Sequence, residues 1–190
     1  MTNQPPKGPT LTWGADAMFS ARSFIPSTVP ALWPYVTGSP TVAWTEEAIT
    51  AYPSSRVYRV NQGFEPVGPF HGDEFDLERG AWSPNQLVAV AQERARYRWS
   101  TRIYCTYANY GLMKGQLAQV GLGRSVFYRI ADWNLSEHLA GLAAYGDVYA
   151  GQWASPTSNP DTLIPGTSHT LAVANVDLNV VLLESTGWQG

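Results

Sequence analysis

The stretch "EFDLERG", residues 74–80, decides how this chain reads. It puts four charged side chains into seven residues, in a chain that is only 14% charged. As a strand, its side chains alternate, so Asp76 and Glu78 share one face about 6.6 Å apart. Glu74 shares that face one layer deeper. Phe75 and Leu77 face the other way, toward covering helices. Inward acids on one strand are costly unless they are paired or protonated. The other reading of the same residues is an exposed, charged turn.

Working outward, "SPNQLVAVAQERARYRW" (83–99) is the clearest helix, with Ser83 as its cap and Pro84 at its first position. Leu87, Val88, Ala91 and Ala95 form its apolar stripe. "TRIYCT" (101–106), "SVFYRIADW" (125–133) and "DVYAGQWA" (147–154) read as strands. "ANYGLMKGQLAQ" (108–119) and "LSEHLAGLAAY" (135–145) read as helices between them. Toward the N-terminus, "RVYRVNQ" (56–62) is a strand and "TEEAITAY" (45–52) a short helix capped by Thr45. "LTWGADAMF" (11–19) is a first strand, and residues 20–41, with four prolines, read as an irregular excursion. Residues 155–169 read as a loop, and 170–183 as one or two closing strands.

Alternating strands and helices imply βαβ units and a parallel sheet. Roughly eight strand segments suit a closed barrel. The expected fold is therefore α/β, a (β/α) TIM-like barrel, short and irregular, with some helices replaced by loops. Residues 1–10, "MTNQPPKGPT", read as an irregular arm, and 11–190 as a single domain. An open doubly wound sheet is the alternative, but no glycine-rich phosphate loop follows an early strand.

Composition narrows the chemistry. The net charge is −3 and no basic stripe appears, so no nucleic-acid partner is expected. No apolar run reaches the ~20 residues of a membrane span, and the first residues lack the apolar segment of a signal peptide. Cys105 is alone in an apolar run and reads as a buried hydrophobe. His71, His138 and His169 show no metal-ligand spacing, so neither a metal centre nor another cofactor is expected. Eight Trp and ten Tyr offer flat faces with polar edges, suited to a core or to a glycan groove.

Acids recur at other strand ends: Asp16 in "GADAMF", Asp132 in "RIADW" and Asp177 in "NVDLNV", where Asn175, Asp177 and Asn179 share a face. Clustered acids without His or Cys suit glycoside hydrolysis, in which one carboxyl stays protonated and others stabilise positive charge. Mg²⁺ or Ca²⁺ binding is the chemical competitor.

In this order, "GADAMFS", "EFDLE", "RIYCTYANY", "YRIADW", "AGQWAS" and "NVDLNV" resemble the strands of the glycoside hydrolase family 25 lysozymes, especially the short forms of actinobacteria and their phages. The resemblance covers about residues 12–183 and implies cleavage of the muramic acid–glucosamine linkage of peptidoglycan. It makes Glu78 the general acid and gives Asp76 the orienting of the substrate's N-acetyl group. Asp16 and Asp177 complete the acidic rim, and Asp132, Tyr104, Trp153 and Asn179 are substrate-binding candidates. Residues 20–72 depart from the family pattern, and 155–169 look like an insertion. Two functions remain open: a muramidase-like hydrolase, free or carried on a phage particle, and a virion tail or decoration protein that uses such a barrel to bind cell-wall glycan. The expected partners are cell-wall glycan and other virion proteins. The expected location is a phage virion or the host cytoplasm, with action on the wall.

Overall fold

The computed structural model describes residues 12–63, 71–78, 81–132 and 145–181. In chain order these form β1 (Thr12–Ala17), a 3-10 helix (Phe19–Phe24), β2 (Ala31–Pro34), α1 (Glu46–Thr50), β3 (Arg56–Val57), β4 (Val60–Asn61) and β5 (Glu74–Asp76). Then come α2 (Pro84–Arg96), β6 (Thr101–Thr106), α3 (Tyr107–Gln119), β7 (Val126–Ala131), β8 (Val148–Ala154), α4 (Leu171–Ala174) and β9 (Val176–Val181). The arm (1–10) and most of the helix expected at 135–145 lie outside the described residues.

The helix starts follow their capping chemistry. The Ser83 hydroxyl accepts from the Gln86 N–H while the Gln86 side chain accepts from the Ser83 N–H, and Pro84 follows. Thr45 caps α1 in the same sense. The buried stripe of α2 is Leu87, Val90, Ala91 and Arg94; Val88 packs half-buried against the core as expected, and Arg94 takes the place expected of Ala95. Arg94 is admitted because its guanidinium donates to the Ser100 and Gly72 carbonyls.

The strands form one mixed sheet in the order β3-β2-β1-β9-β8-β7-β6-β5-β4. Every pairing is parallel except those of β9, which runs antiparallel to both β1 and β8. The all-parallel expectation is corrected here, for a simple reason. A parallel β9 needs a crossover that carries the chain back along β8, about 23 Å for its seven residues. Among the elements between them only α4 is helical, and its four residues span about 6 Å. The chain therefore turns over and runs back down.

Two further expectations are corrected. The proline-rich segment is not irregular throughout, because β2 forms inside it and ends on Pro34, where the ring costs the ladder least. Residues 171–174 are helical rather than extended, and Asn175 closes that turn at φ 53°, a conformation Asn tolerates.

The sheet curls, and one side chain measures how strongly. Asp16 on β1 and Glu74 on β5 stand five strand positions apart, about 24 Å across a flat sheet. A single guanidinium, that of Arg129 on β7, nevertheless reaches Asp16 Oδ2 at 2.5 Å and Glu74 Oε1 at 2.6 Å. The far edge also comes round: Tyr35, just past β2, bridges Val60 of β4. On the outer face Phe75, Ile103, Cys105, Ile130, Leu178 and Val180 pack with Leu87 and Ala91 of α2 and Met113 and Leu117 of α3. On the inner face Trp33, Tyr58, Val60, Tyr149 and Val181 form a smaller aromatic cluster. Gly14 keeps that inner space open, since a Cβ there would lie 2.4 Å from the Trp33 ring and 2.6 Å from the Ala31 carbonyl oxygen.

Candidate active site

Arg129 is the centre of the inner face. Its Nε and Nη2 donate to Glu74 Oε1, and its Nη1 donates to Asp16 Oδ2 and Asn179 Oδ1. Tyr149 donates its hydroxyl to the other Glu74 oxygen and accepts from Trp33 Nε1 at 3.0 Å. The guanidinium lies over the Tyr104 ring at 4.2 Å and near Trp33 at 5.3 Å. Arg129, Glu74 and Asp16 are all buried. Fully desolvated charges persist only when matched in this way. This network resolves the cost of a buried Glu74: it is a partner of Arg129, placed below the site.

Above this plug the acids gather at one end of the sheet. Asp16 and Asp177 are direct cross-strand partners of β1 and β9. Asp177 is only the second residue of β9. It joins the rim because β9 runs backward; in a parallel strand it would stand at the opposite end. Burial first, and then the charge of Asp16, hold its carboxyl well above the usual carboxylate range, against the opposing pull of Arg129. Asp16 Oδ1 is buried without a hydrogen-bond partner among the described residues.

Asp76 ends β5 beside Tyr104 of β6. It is 1% exposed, and among the described residues its carboxyl accepts one hydrogen bond, a long one of 3.4 Å from Gln62 Nε2 to Oδ2. Its Oδ1 is buried without a hydrogen-bond partner among the described residues. Burial, followed by the charge of Glu78, pushes its pKa up to about 8. Glu78 itself is exposed just beyond the strand.

A cavity of about 380 Å³ opens over these groups. Asp16, Asp177, Glu78, Tyr35 and Tyr104 line it, and Ser155, Pro156, Thr157 and Ser158 close one side. Tyr104 is held by a hydrogen bond from its hydroxyl to Gln152 Oε1. A second cavity of about 690 Å³ lies on the other side of Glu78, between the starts of α2 and α3. Both volumes fall in the ligand-site range of about 300–1,000 Å³.

The expected site residues divide into two groups. Asp16, Asp177, Glu78 and Tyr104 line the first cavity, with Asp76 beside Tyr104 on the neighbouring strand. The other three are placed elsewhere. Trp153 belongs to the outer core under the helices, because its neighbour Gln152 faces inward to Tyr104 and strand alternation turns the Trp153 ring outward. Asn179 is fully buried and supports Arg129. Asp132 is half-buried just past β7, donates its N–H to the Gln152 carbonyl and lines neither cavity.

Sequence reasoning missed Arg129, Tyr35 and the wall at 155–158. The signal for Arg129 was present: a lone cation inside an apolar strand demands buried acid partners. Among the described residues no group of three or more His, Cys, Asp or Glu side chains is arranged to hold a metal ion. Comparison with protein-family models, curated proteins and solved structures finds no match.

Proposed function

We propose that the chain is a peptidoglycan-directed glycoside hydrolase of the muramidase kind, built on an eight-stranded TIM-like barrel in which β3 and β4 act as one strand and the last strand is reversed. The observation that carries this reading is the convergence of Asp16, Asp177 and Glu78 on one cavity, with a buried Asp76 alongside whose pKa is about 8. Near neutral pH Asp76, the buried member of the Asp76–Glu78 pair, holds a proton.

The chemistry needs that proton at the glycosidic oxygen. Glu78 is the member exposed to the cavities, so it is the general acid: it takes the proton from Asp76, its buried partner, and delivers it to the leaving oxygen. As the bond from the anomeric carbon to the leaving oxygen breaks, positive charge grows on the ring, and Asp16 faces that charge, with the raised Asp177 carboxyl beside it as a hydrogen-bonding group. Water then adds to the anomeric carbon and returns a proton to the Glu78 carboxylate. The family resemblance gives Asp76 the orienting of a substrate acetamide; it is buried beside Tyr104, which lines the first cavity.

A second reading has its own support. Glu74 and Asp16 are bound to Arg129, so acids of this face serve the core as well as the cavity. A glycan-binding domain of a virion keeps that plug without needing chemistry. Reducing ends released from purified peptidoglycan separate the two. Wild type is expected to release them, with Glu78→Gln and Asp76→Asn both impaired. Binding without release by wild type leaves only the adhesion reading.

A further inference from the structure

Glu78 lines two cavities, and the second has a construction of its own. Its wall includes Trp82, Ser83, Pro84, Thr106 and Asn109. Trp82 is fixed from several sides. Its Nε1 donates to the Asn61 carbonyl and side-chain oxygens at 3.1 and 3.2 Å. Its ring meets Phe75 edge-on at 5.8 Å. The backbone of Gly63, at φ 74°, lies so close that a Cβ there would stand 3.1 Å from the indole. The backbone N–H of Trp82 donates to the Asp76 carbonyl, which ties the indole to the strand that carries the acids. Thr106 caps α3 without a side-chain hydrogen bond to its backbone, and Asn109 sits one turn later. A rigid aromatic face flanked by hydroxyl and amide groups is the chemistry that receives a pyranose ring: the apolar face of the sugar stacks, and its hydroxyls find partners at the edge.

We infer that the cavity of Trp82, Thr106 and Asn109 holds the leaving-group sugar, an N-acetylated hexosamine ring, while the cavity of Asp16 and Asp177 holds the ring that develops charge. This rests on the reading of Glu78 as the acid. A group that protonates the bridging oxygen must stand between the two rings, and Glu78 stands between the two cavities.

The test compares two substrates with the same donor disaccharide: a peptidoglycan tetrasaccharide, whose leaving sugar fills the second cavity, and the glycosyl fluoride, whose leaving atom does not reach it. Trp82→Ala is expected to lower the ratio of kcat/KM for tetrasaccharide over fluoride about tenfold, chiefly through KM. Trp82→Phe should restore most of that ratio, and Asn109→Ala, on a half-buried helix position, should lower it less. If Trp82→Ala does not fold, Asn109→Ala and Trp82→Phe carry the comparison. An unchanged ratio in folded variants overturns the assignment while leaving the hydrolase reading intact. If wild type turns over neither substrate, the hydrolase reading fails. The leaving-group assignment, which rests on that reading, is then overturned with it.

Discussion

Asp76→Asn replaces a carboxyl that burial and Glu78 hold neutral with an amide of nearly the same shape. With a native pKa of about 8 against 3.8 for the free group, ionisation of Asp76 weakens the fold as pH rises. The sign follows from linkage: the native state binds the proton more tightly, so the stability this proton lends is full below the unfolded pKa and is lost as pH climbs through the native one. For a single site, the advantage of Asp76→Asn over wild type is about 2 kcal/mol at pH 5 and about 6 kcal/mol at pH 9. Between those pH values it widens by about 4 kcal/mol. At about 2–4 °C per kcal/mol for a chain of this size, the melting-temperature gap should open by about 8–16 °C. Thermal unfolding of both proteins across that range reads it directly. Asp177 is also raised but is present in both proteins, so its effect cancels in the difference. Adding Glu78→Gln should narrow the gap by removing the second cause. A constant gap from pH 5 to pH 9 would show that Asp76 is not held neutral, and the proton proposed for catalysis would have no source.

Arg129→Met strands Glu74 and Asp16 as buried charges and is expected to cost about 3–5 kcal/mol at pH 7, read by denaturant unfolding, with the loss shrinking in acid as Glu74, whose pKa burial raises, becomes protonated. A loss below about 1 kcal/mol would mean that the plug is not a matched network. Gly14→Ala gains about 0.4–1 kcal/mol from a stiffer unfolded chain but forces a Cβ against Trp33 and the Ala31 backbone, an overpacking of about 1–3 kcal/mol, so net destabilisation is expected in the same measurement.

What the sequence disclosed, and what it hid, follows from the range of the interactions. The start of α2 was written in Ser83 and Pro84, a signal contained in two adjacent residues, while its end at Arg96 falls short of the expected Trp99. The alternation of Glu74, Phe75 and Asp76 told which acids face inward, because period 2 is a property of a single strand. Strand direction is not such a property. Nothing in "NVDLNV" says that β9 runs backward; that depends on the lack of a crossover helix after β8. Asp177 was therefore expected at the rim by a route that assumed a parallel strand, and it reaches the rim by the opposite one. β2 was hidden because prolines at 30 and 34 mark its two ends yet look like breakers throughout. Trp153 was expected in the groove by the family resemblance alone, and strand alternation beside the inward Gln152 puts it in the outer core instead. Arg129 joins residues up to 113 positions away, and no local pattern carries that pairing.

The central claim is that these converging acids cleave glycan, and muropeptides released from purified peptidoglycan test it most directly. Mass spectrometry should detect saccharides with new reducing ends from wild type, and none above background from folded Glu78→Gln. Equal release by the two proteins would contradict the assignment of Glu78. No release by wild type, with glycan still bound, would contradict the hydrolase itself.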